Sequence, residues 1–326
     1  IFAVNDLVTS RQPNYITEDL QFSETGKNLW VRGPYPNLNK PYFSVIGSAH
    51  TVGRFIENPF PSIISEKLNI ECFNYGGGGR GVRGYVQVFL DGDLSATQVL
   101  QRSVKKIINN SSFVIIQVLP GRACNNSLFQ SAGSVGGYLK TDTNRTNKIK
   151  TNDFWAEKIK NKDPAMLERL VEETRQNYID SYKKLFKLIK VPKILFYFSE
   201  RQPDYSIDFK KIKDISELYG SIKGKWQNGE WQPKKGAFPQ FVNRNVINEI
   251  KKDCDYYVEY VSSKGLPHIL NNRFTGKPIK IDKLYKPKHL QKFNGFQINQ
   301  YYPSQEMHIE AAEKLFPACN SILNDS

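Results

Sequence analysis

Apolar residues in this chain form short runs that alternate with segments of helical spacing. The run 113–119 (FVIIQVL) is apolar on both faces, which is typical of a buried parallel strand. Similar short runs, each closed by a loop containing Gly, Pro or Asn, occur before and after it. We predict strands over 42–46, 70–74, 113–119, 194–198 and 256–261.

Segments with a helical period separate these strands. The strongest is 164–189, where Pro164 suits a first helical turn and Leu167 and Leu170 begin an apolar face. We predict helices over 61–68, 85–108, 164–189, 242–252 and 305–316, the last with Ser304 as its N-cap. This alternation predicts an α/β fold, a three-layer α/β/α sandwich with a mostly parallel five-stranded sheet.

The loop-like segments suggest the domain organisation. Residues 1–40 are polar and contain Pro, so we expect an irregular N-terminal arm. Residues 41–326 then form a single α/β domain with insertions at about 130–160, 200–236 and 262–300. The first insertion opens on a Gly-, Thr- and Asn-rich stretch, 130–152, which predicts a long loop.

Composition limits the class of protein. The 326 residues are 39% hydrophobic and 13% aromatic, enough to bury a core, so the chain is not a disordered one. The most apolar stretch is 113–119, far short of the roughly 20 residues that cross a bilayer. We therefore expect no membrane span and a cytoplasmic protein.

The net charge is +14, and it is unevenly distributed. Residues 183–292 carry 24 basic and 11 acidic side chains, a field that attracts anions or simply a Lys-rich solvated surface. The spacing of the four Cys and four His residues matches no metal-ligand motif. We expect no metal and no other cofactor.

Candidate chemistry follows the predicted strands, where functional groups gather in parallel sheets. Ser48 comes after the first strand, glycines 76–79 follow the second, and Asn125 and Asn126 follow the third. His308 opens the last helix. Each also has a simpler explanation, respectively a capping Ser, a flexible turn, Asx turns and a core His.

The order of these elements resembles the four sequence blocks of the SGNH (GDSL-type) hydrolase superfamily. The runs FSVIGSAHTVGRFIENPF, IIQVLPGRACNNSLF and YYPSQEMHIEAAEKL look more closely like an uncharacterised bacterial SGNH-like domain family. The resemblance covers about residues 40–130, the fourth strand and the last 25 residues. It implies an SGNH or flavodoxin-like topology.

The resemblance also implies roles for individual residues. Ser48 would be the nucleophile and His308 its general base. The backbone N–H groups of Ser48 and Gly79 and the side chain of Asn126, or of Asn125, would donate to an oxyanion. The chain departs from the pattern twice.

In the first departure, Gln305 stands where the superfamily has an Asp three residues before the His, which leaves open what orients His308. In the second, Arg122 follows Gly121 where the superfamily has Asn. Together with Arg54 and Arg80, Arg122 predicts a cationic pocket for an anionic substrate.

Three functions fit these features. The first is a Ser-His esterase or O-acyltransferase acting on a carbohydrate, such as a polysaccharide, or on another hydroxylated anionic molecule. The second is a transferase whose anionic donor, a sulfo- or phospho-nucleotide or an acyl-CoA, sits in an arginine-lined pocket. The third is a non-catalytic binder of an acidic polymer. It would use the aromatic side chains of the basic segment, which are Trp226, Trp231, Tyr256, Tyr257 and Tyr285. Nucleic acid is not expected, because no known nucleic-acid motif is present.

Overall fold

The computed structural model describes residues 17–22, 27–90, 104–221, 225–227, 230–232, 238–271, 277–278, 291–293 and 296–324. For residues 17–22, 27–30, 225–227, 230–232, 291–293 and 297 only the backbone is described. Parts of the predicted arm, of the predicted helix 85–108 and of the insertions 200–236 and 262–300 therefore lie outside the described residues. Within the described ranges, no helix is long and apolar enough to cross a membrane.

The strands are β1 Thr17–Phe22, β2 Lys27–Arg32, β3 Tyr42–Gly47, β4 Glu71–Gly76, β5 Val114–Gln117, β6 Phe129–Ser131, β7 Gly136–Leu139, β8 Ile149–Lys150, β9 Lys193–Ser199, β10 Lys225–Gln227, β11 Glu230–Gln232, β12 Tyr256–Val261, β13 His268–Ile269, β14 Gln291–Phe293 and β15 Phe296–Asn299. The helices are α1 Ala49–Val52, α2 Phe60–Leu68, α3 Val82–Phe89, α4 Thr151–Lys160, α5 Pro164–Leu188, α6 Ile215–Leu218, α7 Arg244–Ile250 and α8 Gln305–Asn324. Residues 104–109 are also helical.

The main sheet has the order β1-β2-β4-β3-β5-β9-β12. Its inner strands β4, β3, β5, β9 and β12 pair in parallel and are the five strands predicted from the sequence. The prediction of five strands in all is wrong, because the described sheet has seven. The additional two, β1 and β2, form an antiparallel hairpin inside the predicted irregular arm. Their sequences, TEDLQF and KNLWVR, mix a few apolar residues with polar and charged ones.

The five parallel strands lie in the spatial order 2-1-3-4-5 of the chain, which is the flavodoxin-like winding. In this winding the chain changes direction between its first and third parallel strands, here β3 and β5. Ligands of such sheets bind beyond the carboxyl ends of the strands at that point. Here β3 ends at Gly47, immediately before Ser48, and β5 ends at Gln117.

Helices cover both faces of the sheet. Ile46, Val114 and Leu195 contribute to one apolar core, which the helices α3, α5 and α7 complete. Val45, Ile115 and Phe196 contribute to the other core, with α2 and α8. Because neighbouring residues of a strand point to opposite faces, the fully apolar strands supply both cores at once. The layers are those predicted.

The first insertion is more regular than predicted. Instead of one long loop over 130–152, the chain forms the small antiparallel sheet β6-β7-β8 and then begins α4. Glycine within the insertion is what allows these strands to pair. A Cβ on Gly137 would lie 2.2 Å from the carbonyl oxygen of Gln130, so this glycine allows two strands to approach closely. The division of the chain at residue 40 into an arm and one domain stays a prediction.

Two tyrosines of α5 fix the carboxyl end of β5. The hydroxyl of Tyr182 donates to the carbonyl oxygen of Gln117 at 2.9 Å and accepts from the N–H of Leu119 at 2.9 Å. The hydroxyl of Tyr178 donates to the carbonyl oxygen of Leu119 at 2.7 Å. Both tyrosines are buried. Hydrogen bonds from α5 therefore fix the backbone that follows Gln117.

We predict that Tyr182→Phe lowers the free energy of unfolding by about 1–3 kcal/mol, because it leaves buried backbone groups at the end of β5 without a partner. The matched control is Tyr256→Phe. The Tyr256 hydroxyl lies 2.9 Å from the Ser321 hydroxyl at a partly exposed position, and its loss should cost less than about 1 kcal/mol. Urea denaturation followed by circular dichroism measures both. Equal losses in the two variants would contradict this account of the β5 terminus.

Candidate active site

Ser48 is the first residue after β3 and the N-cap of the short helix α1. Its hydroxyl oxygen accepts the backbone N–H of His50 at 3.2 Å, which is the usual role of a capping serine. The side chain is buried, with 5% of its surface exposed. A capping serine need not be catalytic, so its other contacts decide what it can do.

The side-chain oxygen of Gln117, at the end of the neighbouring strand β5, accepts hydrogen bonds from three donors. It accepts the N–H of Ser48 at 2.9 Å, the hydroxyl of Ser48 at 2.9 Å and the hydroxyl of Thr51 at 2.7 Å. The orientation of the amide is determined, because a backbone N–H can only donate. The amide nitrogen of Gln117 is left buried without an acceptor among the described residues. Gln117 is the one amide within the apolar run 113–119, a feature that is visible in the sequence.

His50 is the imidazole that faces Ser48. Its Nδ1 lies 3.3 Å from the Ser48 hydroxyl oxygen. The ring stacks on Phe238, with centroids 3.9 Å apart, and meets the edges of Tyr301 and Tyr302 at 5.6 and 5.7 Å. Burial lowers the pKa of His50 to about 3, so the ring is neutral near pH 7. His50 is not among the site residues predicted from the sequence.

A small cavity lies against His50. Its volume is about 10 Å³, which is room for about one water molecule. The residues that line it are His50, Ser199, Glu200, Phe238, Tyr301, Pro303 and Met307. They come from the ends of β3 and β9, from the segment before α7 and from the start of α8, so the cavity lies at the carboxyl edge of the sheet.

His308, the predicted base, is used differently. Its Nδ1 accepts the backbone N–H of Phe60 at 3.1 Å, which places the proton of the neutral ring on Nε2. That Nε2 is buried with no acceptor among the described residues, and burial lowers the pKa of His308 to about 3. No hydrogen bond joins His308 to Ser48. The structure therefore brings Ser48 together with His50 and not with His308.

The bond from Phe60 to His308 is a helix cap. Phe60 begins α2, whose N-cap is Pro59, a residue without a side-chain acceptor. The first N–H groups of a helix lack partners within it, and His308 supplies one. Gln305 also supports this segment, because its side-chain amide donates to the carbonyl oxygen of Asn58 at 2.7 Å and its oxygen accepts the N–H of Asn58 at 3.3 Å.

Of the predicted oxyanion residues, Asn126 is fully engaged. Its amide donates to Thr174 at 3.2 Å and its oxygen accepts the N–H groups of Leu128 and Phe129. The oxygen of Asn125 accepts the N–H of Ser131 at 2.8 Å, and its NH₂ group has no hydrogen bond to the described residues.

Gly79 lies in a turn at φ +75°, a conformation that favours glycine. Its N–H also makes no hydrogen bond to the described residues. The turn is attached beside Ser48, because the N–H of Gly77 donates to the carbonyl oxygen of Gly47 at 2.9 Å. That Gly79 and the two Asn residues form an oxyanion hole stays a prediction.

The three predicted arginines contact different aromatic side chains. Arg54 donates to the hydroxyl of Tyr302 at 2.9 Å. The Cζ atom of Arg122 lies 5.6 Å from the centroid of the Tyr219 ring. Arg80 instead packs over Tyr75 and Tyr85, at 4.4 and 5.7 Å from the ring centroids, in a mostly buried aromatic setting.

Of the five aromatic residues predicted to bind an acidic polymer, only Tyr256 and Tyr257 have side chains that the structure describes. Tyr285 and the side chains of Trp226 and Trp231 lie outside the described residues. The Tyr256 hydroxyl pairs with Ser321, and the Tyr257 hydroxyl donates to Glu259 at 2.5 Å. Both tyrosines therefore have partners within the fold. Binding of an acidic polymer stays a prediction.

The chain is similar to one family at the sequence level. Residues 14–131 match the family described as "Domain of unknown function (DUF6473)", a stretch that includes Ser48 and Gln117. None of the curated proteins is significantly similar to the sequence.

Among solved structures, the chain is similar to a carbohydrate esterase family 2 enzyme with a carbohydrate-binding domain from Corynascus thermopiles (Myceliophthora fergusii), at 11% identity and a TM-score of 0.37, over 92% of this chain and 70% of that one. It is also similar to a family two carbohydrate esterase from Clostridium thermocellum in complex with cellohexaose, at 12% identity and a TM-score of 0.36, over 91% and 68% of the two chains. A third is a protein from Slackia heliotrinireducens provisionally described as an SGNH hydrolase, at 11% identity and a TM-score of 0.34, over 86% and 100%.

We predict that the buried imidazoles of His50 and His308 make the stability of the folded chain fall in mild acid. The pKa of each is about 3 in the folded chain and near 6.5 in the unfolded one, so the unfolded chain binds more protons as the pH falls below 6.5. Stability is therefore present above pH 6.5 and lost on acidification. Between pH 7 and 5.5 the free energy of unfolding should fall by at least about 2.5 kcal/mol.

Urea denaturation at the two pH values measures this change, and His308→Gln provides the matched variant. A glutamine oxygen can still accept the N–H of Phe60 but does not titrate, so about half of the loss should disappear. A variant with the same pH dependence as the wild-type chain would show that His308 is not buried as a neutral ring.

Proposed function

We propose that this chain transfers an acyl group from an ester, with Ser48 as the nucleophile and His50 as its base. The observation that supports the proposal is the 3.3 Å separation between the Ser48 hydroxyl oxygen and Nδ1 of His50, at the point of the sheet where ligands of this winding bind. The acyl acceptor is water or a hydroxyl group of a second molecule. The proposed ester is that of a carbohydrate or similar hydroxylated molecule.

The proposed first step forms an acyl-enzyme. The Ser48 oxygen attacks the carbonyl carbon of the ester while its proton passes to Nδ1 of His50. The tetrahedral intermediate then expels the alcohol oxygen, which takes that proton from His50. The Ser48–acyl bond has formed, the original ester bond has broken, and His50 is neutral again.

The second step repeats this chemistry with the acceptor. His50 removes a proton from a water or acceptor hydroxyl held in the small cavity, and the resulting oxygen attacks the acyl carbon. Collapse of the intermediate returns the proton to the Ser48 oxygen. Release of an acid marks a hydrolase, and release of a new ester marks a transferase.

The surroundings of His50 suit a transient positive charge. With a pKa of about 3 the resting ring is neutral and free to accept a proton, but its protonated form needs stabilisation. The face of Phe238, stacked at 3.9 Å, supplies a cation–π contact. The side chain of Glu200 lines the same cavity.

Gln117 controls the starting position of the serine proton. The Ser48 hydroxyl can donate to the Gln117 oxygen at 2.9 Å or to Nδ1 of His50 at 3.3 Å. Reaction requires the second arrangement. Because the N–H of Ser48 also bonds to Gln117, we assign the N–H of Gly79 and the side-chain amide of Asn125 as donors to the developing oxyanion.

We predict that the purified protein hydrolyses a short-chain p-nitrophenyl ester and that Ser48→Ala abolishes this activity. His50→Gln should lower kcat/KM by roughly 10²–10⁴-fold, the range for loss of a general base. His308→Gln should keep kcat/KM within about threefold of wild type, because its role is the cap on Phe60. A spectrophotometric assay of the released nitrophenol measures all three.

The two glutamine variants control for each other, because each replaces a fully buried imidazole with the same side chain. Circular dichroism establishes that both are folded before the rates are compared. Loss of activity in His308→Gln but not in His50→Gln would reject His50 as the base. Activity that survives Ser48→Ala would reject the proposed nucleophile.

A further inference from the structure

The segment 238–241 (FPQF) is held along its whole backbone. Each of its four carbonyl oxygens accepts a hydrogen bond from a different buried residue. These bonds run from the Ser199 hydroxyl to Phe238 at 2.7 Å, from Nη2 of Arg201 to Pro239 at 3.0 Å, from the N–H of Gly121 to Gln240 at 2.9 Å and from Nε of Arg175 to Phe241 at 2.9 Å. The donors lie at or just beyond the carboxyl ends of β9 and β5, and on α5. The sheet and the helix layer therefore both fix this segment.

The last residue of the segment has a strained backbone. Phe241 has a φ of +65°, in the left-handed region that a bulky side chain rarely adopts. Its ring is buried, with centroids 4.9 Å from Trp155 and 5.3 Å from Tyr219. Such strain persists only where the surrounding contacts enforce it, and it is concentrated at functional sites. The tertiary contacts of the segment therefore impose a conformation that its own sequence disfavours.

The first residue of the segment, Phe238, packs on the proposed base. Its ring lies over the ring of His50, with centroids 3.9 Å apart and planes 17° from parallel. Among the described residues, the His50 ring has one hydrogen bond, the 3.3 Å contact with Ser48, and a bond of that length is weak. A half-turn of the imidazole about its Cβ–Cγ bond would replace Nδ1 by a carbon, and the Ser48 hydroxyl would lose its acceptor. Packing therefore decides which edge of His50 faces the serine.

Ser199 connects this packing to the sheet. It is the last residue of β9, it is buried, and it lines the cavity beside His50. Its hydroxyl oxygen accepts the backbone N–H of Arg201 at 2.9 Å while it donates to the carbonyl oxygen of Phe238 at 2.7 Å. A hydroxyl has a single proton, and here that proton is used in the bond to Phe238. Ser199 therefore acts on His50 through Phe238.

We propose that Ser199 is a positioning residue for the reaction at Ser48. Its hydrogen bond to Phe238 holds that ring against His50 and so keeps Nδ1 of the imidazole turned toward the nucleophile. The importance of this for catalysis rests on the proposed function, whereas the effect of Ser199 on the His50 ring does not. The other three donors hold the rest of the segment, and Ser199 binds the residue whose ring contacts the base.

The kinetic test compares Ser199→Ala with Ser199→Thr in the hydrolysis of a short-chain p-nitrophenyl ester. Loss of the hydroxyl should lower kcat and kcat/KM together by roughly 10- to 100-fold, the cost of a small displacement of a catalytic group, and should leave KM nearly unchanged. Threonine keeps the hydroxyl, so this variant should retain kcat/KM within about threefold of wild type. A Ser199→Ala variant as active as the wild-type chain would overturn the proposal.

Ser111→Ala is the matched control for lost stability. Ser111 is also buried, and its hydroxyl lies 2.7 Å from the carbonyl oxygen of Ile108 and 3.0 Å from that of Phe113. It precedes β5, at the end of the sheet away from the candidate site. Urea denaturation should show comparable destabilisation in Ser111→Ala and Ser199→Ala, while Ser111→Ala keeps its kcat/KM. Equal losses of activity would mean a general effect of destabilisation and would also overturn the proposal.

The His50 ring gives a readout that needs no substrate. In a chain with ¹⁵N-labelled histidine, long-range proton–nitrogen NMR spectra report on the ring nitrogens of its four imidazoles, and the His50 signals are those absent from His50→Gln. The wild-type chain and Ser111→Ala should show one set of His50 signals, and Ser199→Ala should add a second set from the turned ring. Phe238→Leu, which removes the flat ring but keeps the backbone carbonyl, should show the same second set. One unchanged set in both of these variants would overturn the proposal.

The two readouts separate the positioning of His50 from the proposed chemistry. If Ser48→Ala keeps its ester hydrolysis while Ser199→Ala shows a second set of His50 signals, the positioning of the ring stands and the proposed nucleophile falls. If Ser48→Ala is inactive and Ser199→Ala changes neither the rate nor the His50 signals, the nucleophile stands and the role of Ser199 falls.

Discussion

The side-chain oxygen of Gln117 is the contact on which the geometry of the candidate site depends. It lies on β5, next to the carboxyl end of β3, and accepts donors from both Ser48 and Thr51. The position is fully buried, so solvent does not compete for these bonds. Three donors share one oxygen while the amide nitrogen has no acceptor among the described residues, an arrangement that costs stability and holds the serine hydroxyl in place.

The two buried histidines show how the same side chain takes different roles through one hydrogen bond. Nδ1 of His308 accepts the N–H of Phe60. Because Pro59 has no side chain that can cap α2, this bond stabilises the start of the helix. His50 keeps Nδ1 toward the Ser48 hydroxyl and its ring against a cavity. A base must offer an unshared lone pair to the proton that it removes, and only His50 does so toward Ser48.

The inner sheet could be predicted because buried parallel strands are apolar on both faces. The hairpin of β1 and β2 was not predicted, since its few apolar residues lie in a segment rich in polar residues and Pro, and its strands pair mainly with each other. The place of Ser48 directly after a strand could be predicted, and its role as the nucleophile stays a proposal. His50 and Gln117 were missed, although a lone amide inside the apolar run 113–119 was a usable signal. The proton position on His308 depends on a backbone N–H 248 residues away, which no local pattern reveals.

The central claim is that Ser48 is an activated nucleophile and that His50 activates it. Labelling with a fluorophosphonate tests this without knowledge of the substrate, because the Ser48 oxygen would form a bond to phosphorus while fluoride leaves and His50 takes the proton. Peptide mass spectrometry should find one adduct, on Ser48, whose rate of formation falls at least tenfold in His50→Gln and is retained in His308→Gln. An unlabelled Ser48, or a rate that depends on His308 and not on His50, would contradict the account.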